Sequence, residues 1–107
     1  MSKKTTAMII YNVTIKLEHI IADEWVSWMK VEHMDDLVRT GMFTGYRLCR
    51  LLEQDEADGI TYSAQYYCNS MEDYHNYIEN FSGEMRDKAL KRFAGKFIAF
   101  RSVMEEV

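Results

Sequence analysis

Four stretches of the chain alternate apolar and polar residues, and two longer stretches repeat apolar residues every three to four positions. Over residues 8–17, Ile9, Tyr11, Val13, Ile15 and Leu17 fall on one face, and Ile10, Asn12, Thr14 and Lys16 on the other. A period of two with β-branched residues predicts a strand. A helix is predicted over residues 22–40, with Ile21, Trp25, Val26, Trp28, Met29 and Leu37 as a broad apolar stripe. Asp23 and Glu24 suit its first turn, where the helix dipole favours acids, and Gly41 suits a left-handed cap. A second strand is predicted over 43–53, an acidic hairpin loop over 54–59 and a third strand over 61–69. Ser70 and Asp73 form a capping-box-like start to a second helix carrying Tyr74, Tyr77, Ile78 and Phe81. Ser82–Gly83 is expected to break or kink that helix, which resumes over 84–93 and stops at Gly95. A last strand runs from residue 96 to 103 or beyond.

The order β-α-β-β-α-β defines the α+β class and matches the ferredoxin-like split βαβ plan. In that plan a four-stranded antiparallel sheet carries both helices on one face. A single domain over 8–107 is expected, with residues 1–7 a frayed polar extension. The most apolar strand faces are assigned to the helices: Tyr11, Val13 and Ile15; Tyr46 and Leu48; Tyr62, Ala64 and Tyr66; Ile98 and Phe100. The open face then carries Ile10, Asn12, Thr14, Arg47, Cys49, Leu51, Ser63, Gln65, Tyr67, Phe97, Ala99, Arg101 and Val103. Arg50 lands on the apolar face, which implies a sheet edge or a bulge.

Composition narrows the function classes. The chain has 107 residues, 13 Lys or Arg against 17 Asp or Glu, and a formal charge of −4. Aromatics are frequent and proline is absent, which excludes a disordered chain. The acidic balance argues against a nucleic-acid partner. No apolar run approaches the ~20 residues of a membrane span, and no signal peptide is visible, so no membrane partner and a cytoplasmic location are expected. Cys49 and Cys68 lie outside any CxxC motif and read as free thiols of a reducing compartment. His19, His33 and His75 have no metal-ligand spacing, so no metal site is expected. No cofactor is expected either: a haem would need an axial ligand, for which only His33 and His75 are candidates.

The open face is too apolar for water and too polar for a filled core. Leu51, Phe97, Ala99 and Val103 stand beside Asn12, Gln65, Arg47 and Arg101, and buried charges must be paired. Two such sheets packed across a homodimer interface, around a partly polar cavity, would reconcile the two; the alternative is an amphipathic face left wet in a monomer. Within helix 1, Glu32 is four residues from Trp28 and seven from Trp25, so an α-helical period places it in the aromatic stripe. There its carboxyl would be desolvated and able to act as a general acid or base. His33, at the stripe's edge, titrates near neutrality. Glu32 and His33 are therefore the candidate catalytic residues; the structural alternative pairs Glu32 with Arg47, Arg50 or Arg101 and bonds His33 to a backbone carbonyl. Arg47 and Arg101 suit a carboxylate ligand. With Asn12, Gln65, Tyr67 and Trp28 they complete the candidate binding set; the alternative is pairing with the excess of acids.

The runs Met8–Ile15, Trp25–His33 and Thr40–Leu52, continued by Tyr62–Tyr67 and Lys96–Arg101, resemble a bacterial family known only as a domain of unknown function. The resemblance spans residues 8–107. It implies the dimeric α+β barrel superfamily, in which two ferredoxin-like units pack sheet to sheet. That superfamily includes cofactor-independent monooxygenases, small isomerases and haem enzymes, and members with no known activity; fold alone does not choose among them. The expectation is a homodimer binding a small anionic or aromatic molecule in a cavity on the sheet face, acting as a cofactor-independent monooxygenase or isomerase. The alternative is a non-enzymatic interaction module with a filled barrel.

Overall fold

The alternation of apolar residues that predicts each strand is realised in one antiparallel sheet. A computed structural model describes residues 7–107; most of the expected extension lies outside the described residues. In chain order the elements are β1 (Ile9–Leu17), α1 (His19–Trp28), a π-helical turn (Met29–His33), α2 (Met34–Arg39), β2 (Gly45–Arg50), β3 (Ile60–Cys68), α3 (Met71–Asn80), α4 (Ser82–Phe93) and β4 (Phe97–Glu105). The sheet order is β2-β3-β1-β4, antiparallel throughout. This is the split βαβ arrangement: β3 sits between β1 and β2, and β4 adds to the free side of β1.

The odd-numbered β1 residues Ile9, Tyr11, Val13, Ile15 and Leu17 are buried under the helices with Ala64, Tyr66 and Cys68 of β3. Helix α1 begins at His19, earlier than the sequence pattern suggests, so Asp23 and Glu24 lie beyond its first turn. Gly41 closes the first helical run at φ +87° and Gly95 follows α4 at φ +77°, conformations that cost a β-carbon-free residue least. The Ser70 side chain accepts from the Asp73 backbone N–H at 3.1 Å, so the predicted cap forms. Phe81, at φ −128°, interrupts the α3–α4 run, and Ser82 Oγ donates to the Ile78 carbonyl at 2.7 Å.

Strand β2 is shorter than predicted because Phe43 leaves the sheet plane to join the core. Its ring stacks on Tyr11 at 6.0 Å and meets Tyr77 edge-on at 4.8 Å. Arg50 does lie at a sheet edge: β2 is a border strand, and Arg50 pairs with Glu56 at 2.6 Å. Both cysteines are free; Cys68 is buried and Cys49 half-buried on the opposite face.

One strand is faced the other way from the sequence assignment. In β4, Phe97, Ala99, Arg101 and Val103 stand opposite Leu17, Ile15, Val13 and Tyr11, on the helix side. Ile98, Phe100 and Met104 stand opposite Lys16, Thr14 and Ile10, on the open side, with Ile98 62% and Phe100 69% exposed. The two alternating sets of β4 are almost equally apolar, so hydropathy does not choose the side. The turn does: Lys96 N–H bonds the Phe93 carbonyl at 3.1 Å and the Lys96 carbonyl accepts from Glu18 N–H at 3.0 Å, which fixes Phe97 beneath the helices.

Candidate functional site

The helix stripe is built around one extra residue. In an α-helix, Trp28 would be followed on its own face by Glu32. Here the Met34 N–H instead bonds the carbonyl of Met29, five residues back. The buried positions therefore step from Trp28 to His33 and from Met29 to Met34. The π turn carries His33 into the core and leaves Glu32 exposed. Such turns recur at functional sites because they re-aim one side chain at the cost of a regular hydrogen bond.

The His33 ring lies over Trp28, with centroids 4.2 Å apart and planes 20° from parallel. Its Nδ1 is buried and has no hydrogen-bond partner among the described residues. Burial lowers its pKa from 6.5 to about 4; Asp36 and Glu32 oppose that shift and Lys88 adds to it. The imidazole is therefore neutral at physiological pH. A buried polar nitrogen without a partner costs about 1–3 kcal/mol, so this one calls for a reason.

Between the helices and the sheet lies a cavity of about 300 Å³. Val13, Ile15, Ala64 and Tyr66 form its floor, and the short side chain of Ala64 leaves room at the centre. Trp25, Trp28, Met29, His33 and Leu37 form one wall; Tyr77, Met85, Ala89 and Leu90 form another. Phe97, Ala99, Arg101 and Tyr11 line the side toward β4, and Arg86 of α4 also borders the cavity. Arg101 Nε donates to the Tyr11 hydroxyl oxygen at 3.2 Å. Desolvation raises the pKa of Tyr66 and Tyr77, so both phenols are neutral. The size is at the lower end of the ~300–1,000 Å³ range of ligand pockets, and the lining is mostly apolar with a few polar groups, as in such pockets.

The enclosed space is thus on the helix side of the sheet, whereas the sequence reading placed the cavity on the open face. Of the residues singled out in the sequence, the fold brings His33, Trp28 and Arg101 together in it. Glu32 lies outside the lining, where its Oε2 accepts from Trp28 Nε1 at 3.2 Å. It opens instead onto a shallow outer cleft with Lys88, Lys91 and Arg92. The alternative partners considered for it, Arg47, Arg50 and Arg101, do not pair with it: Arg47 bonds Gln65, Arg50 bonds Glu56 and Arg101 bonds Tyr11.

Asn12, Gln65, Arg47 and Tyr67 stand on the open face, away from the cavity. The first three belong to a hydrogen-bonded chain that crosses the sheet. Arg47 Nη2 donates to Gln65 Oε1 at 2.9 Å, Gln65 Nε2 to Ser63 Oγ at 3.4 Å, and Ser63 Oγ to Asn12 Oδ1 at 2.6 Å. Asn12 Nδ2 then donates to Thr14 Oγ1 at 3.0 Å and Ser102 Oγ at 3.3 Å. These groups satisfy one another.

The residues that sequence reasoning missed are Arg86 and Tyr11. Arg86 follows buried Met85 and is one turn before Leu90, so the helical period does mark a second lining stripe on α4. Among the described residues, no cluster of three or more His, Cys, Asp or Glu is placed to hold a metal ion, and no helix is long and apolar enough to cross a membrane. The site does not fit a haem: the cavity is small for a macrocycle, His33 is packed flat on Trp28, and His75 is exposed outside the lining.

Fold and topology define an α+β protein of the ferredoxin-like kind. Its solved neighbours include a conserved protein of unknown function from Bacteroides thetaiotaomicron VPI-5482, described as a possible oxidoreductase (TM-score 0.67, 10% identity, 95% of this chain and 100% of that one). An EthD-like protein from Ralstonia eutropha JMP134 superposes with TM-score 0.65 at 14% identity over 94% and 92% of the two chains. A dimeric ferredoxin-like protein from an uncultured marine organism does so with TM-score 0.57 at 11% identity over 94% and 96%. Identities this low establish the shared fold alone. The chain itself belongs to the family described as Domain of unknown function (DUF4286), whose model matches residues 8–107. No curated protein matches the sequence.

Proposed function

We propose that this chain forms a homodimer through its open sheet faces and binds a small molecule in the helix–sheet cavity of each subunit. The observation that carries this reading is the cavity of about 300 Å³ with the neutral, unpartnered His33 in its wall. A filled core would pack that space, and a purely structural histidine would bond a carbonyl. The aromatic lining suits a planar ligand. The neutral imidazole is free to accept a proton, the opening step of cofactor-independent oxidation or isomerisation; burial disfavours the imidazolium, so the step needs an acidic substrate group whose own negative charge offsets that burial. In isomerisation the imidazolium returns the proton at another atom of the same molecule. In oxidation the substrate carbanion is what dioxygen, as co-substrate, oxidises.

Glu32 serves here as a positioning residue: its carboxylate holds Trp28, on which His33 stacks. The dimer reading rests on Ile98 and Phe100, which are largely exposed beside Met104 and Ile10, and on the dimeric state named for one structural neighbour. Asn12, Gln65, Arg47 and Tyr67 then serve the interface and not the ligand. A non-enzymatic interaction module is the second reading, favoured only by the self-satisfied polar chain of that face; it leaves the opposite cavity without a role.

Native mass spectrometry of the purified protein tests the proposal. The expected result is a dimer with a reproducible small-molecule adduct, lost when Met85→Trp fills the cavity. A bare monomer, or an adduct indifferent to Met85→Trp, would overturn it.

A further inference from the structure

Two guanidinium groups from different elements, Arg86 of α4 and Arg101 of β4, line the cavity, both on residues that also reach solvent. Both positive charges oppose the rise in the Tyr77 pKa that burial causes. Arg101 is held toward the cavity by Tyr11. Among the described residues neither guanidinium forms an ion pair with a carboxylate, although the chain carries more acids than bases. Of the other basic residues of α4, Lys88 pairs with Asp36 at 3.5 Å and Arg92 with Glu24 at 3.4 Å, while Lys91 forms no ion pair among the described residues. Neither guanidinium is neutralised among the described residues, so an anion entering the cavity they both line meets two free sets of N–H donors. Guanidinium groups suit this because they present paired donors to a carboxylate.

From this geometry we infer that the ligand is a small aromatic or conjugated carboxylate, its ring on the Trp25–Trp28–His33 wall and its anionic group between Arg86 and Arg101. This rests on the cavity reading above and adds the charge of the substrate and a specificity-determining residue, Arg86. The anion cannot share the apolar end: Val13, Ile15, Ala64 and Met29 offer it no donor, and burial there would strip its water. The carboxylate therefore fixes which end of the molecule meets His33.

Trp25 and Trp28 line the cavity and supply an internal fluorescence signal. The probes are benzoate, salicylate and cinnamate, each against its neutral primary amide. The carboxylates are expected to quench tryptophan emission saturably and to bind at least about tenfold more tightly than the amides, as charge-assisted hydrogen bonds imply. Arg86→Gln and Arg101→Gln should each remove most of that preference, weakening the carboxylates far more than the amides, with a cooperative thermal melt retained in both. Arg39→Gln, an exposed arginine paired with Asp36 away from the cavity, should bind like the parent. Amides that bind as well as acids, or a preference that survives both substitutions, would overturn the carboxylate inference and leave the cavity reading standing. No binding by any probe at millimolar concentration would overturn both.

Discussion

Replacing His33 with Phe removes the one buried side-chain nitrogen without a partner among the described residues while keeping a flat ring on Trp28. The effect on stability can be worked out from the proton balance. The imidazole titrates near 6.5 when unfolded and near 4 in the fold. Between those values the unfolded chain binds the extra proton, so stability rises with pH. The penalty is nearly absent at pH 7, grows as pH falls below 6.5, and is complete below about pH 4. At roughly 1.4 kcal/mol per unit it reaches about 2 kcal/mol by pH 5 and about 3 kcal/mol at its limit. For a domain of this size 1 kcal/mol moves the midpoint by about 4–8 °C. Thermal melts of parent and His33→Phe at pH 7 and pH 5 read the difference directly, because other carboxylates titrate equally in both. The variant should be at least as stable at pH 7, since an unsatisfied nitrogen worth about 1–3 kcal/mol has gone. The parent should lose roughly 10 °C more than the variant on going to pH 5. The same substitution should abolish proton transfer, so stability and function would move in opposite directions. Equal pH slopes, or a variant that melts far below the parent at pH 7, would refute the reasoning.

Two further substitutions test the frame around the site. A β-carbon on buried Gly59 would fall inside van der Waals contact of the Leu17 carbonyl oxygen, where β1 and β3 meet; Gly59→Ala should cost about 1–3 kcal/mol in urea unfolding, and an unchanged midpoint would mean the loop yields freely. Ile98→Asp with Phe100→Asp places two charges on the open face; sedimentation should change from dimer to monomer with the circular-dichroism spectrum intact, and a persistent dimer would show that another surface holds the subunits.

The fold was legible because its elements obey simple periods. Alternation in β1 and β3 assigned every buried residue of those strands to the correct face, and Ser70 marked the start of α3. What was not legible has local causes. Both faces of β4 are apolar, one against the helices and one exposed, so its side was set by the Phe93–Lys96 turn rather than by hydropathy. The π turn has no signature in residue type, yet it exchanges Glu32 for His33 in the stripe and so decides which of two candidates faces the cavity. The hydrogen bonds that join Arg47, Gln65, Ser63 and Asn12 across the open face are not legible in residue types either, because they depend on the strand register. Arg86 escaped notice because it is an exposed arginine on a polar helix, and only the fold shows that it lines the same cavity as Arg101.

The central claim is that ligand binds between the helices and the sheet, against His33, and not between two sheets. A crystal structure of the protein grown with salicylate tests this most directly. The expected density shows the ring beside Trp28 and His33, with the carboxylate between Arg86 and Arg101. Density on the open face against Asn12 and Gln65, or a cavity closed by its own side chains with no ligand bound, would contradict it.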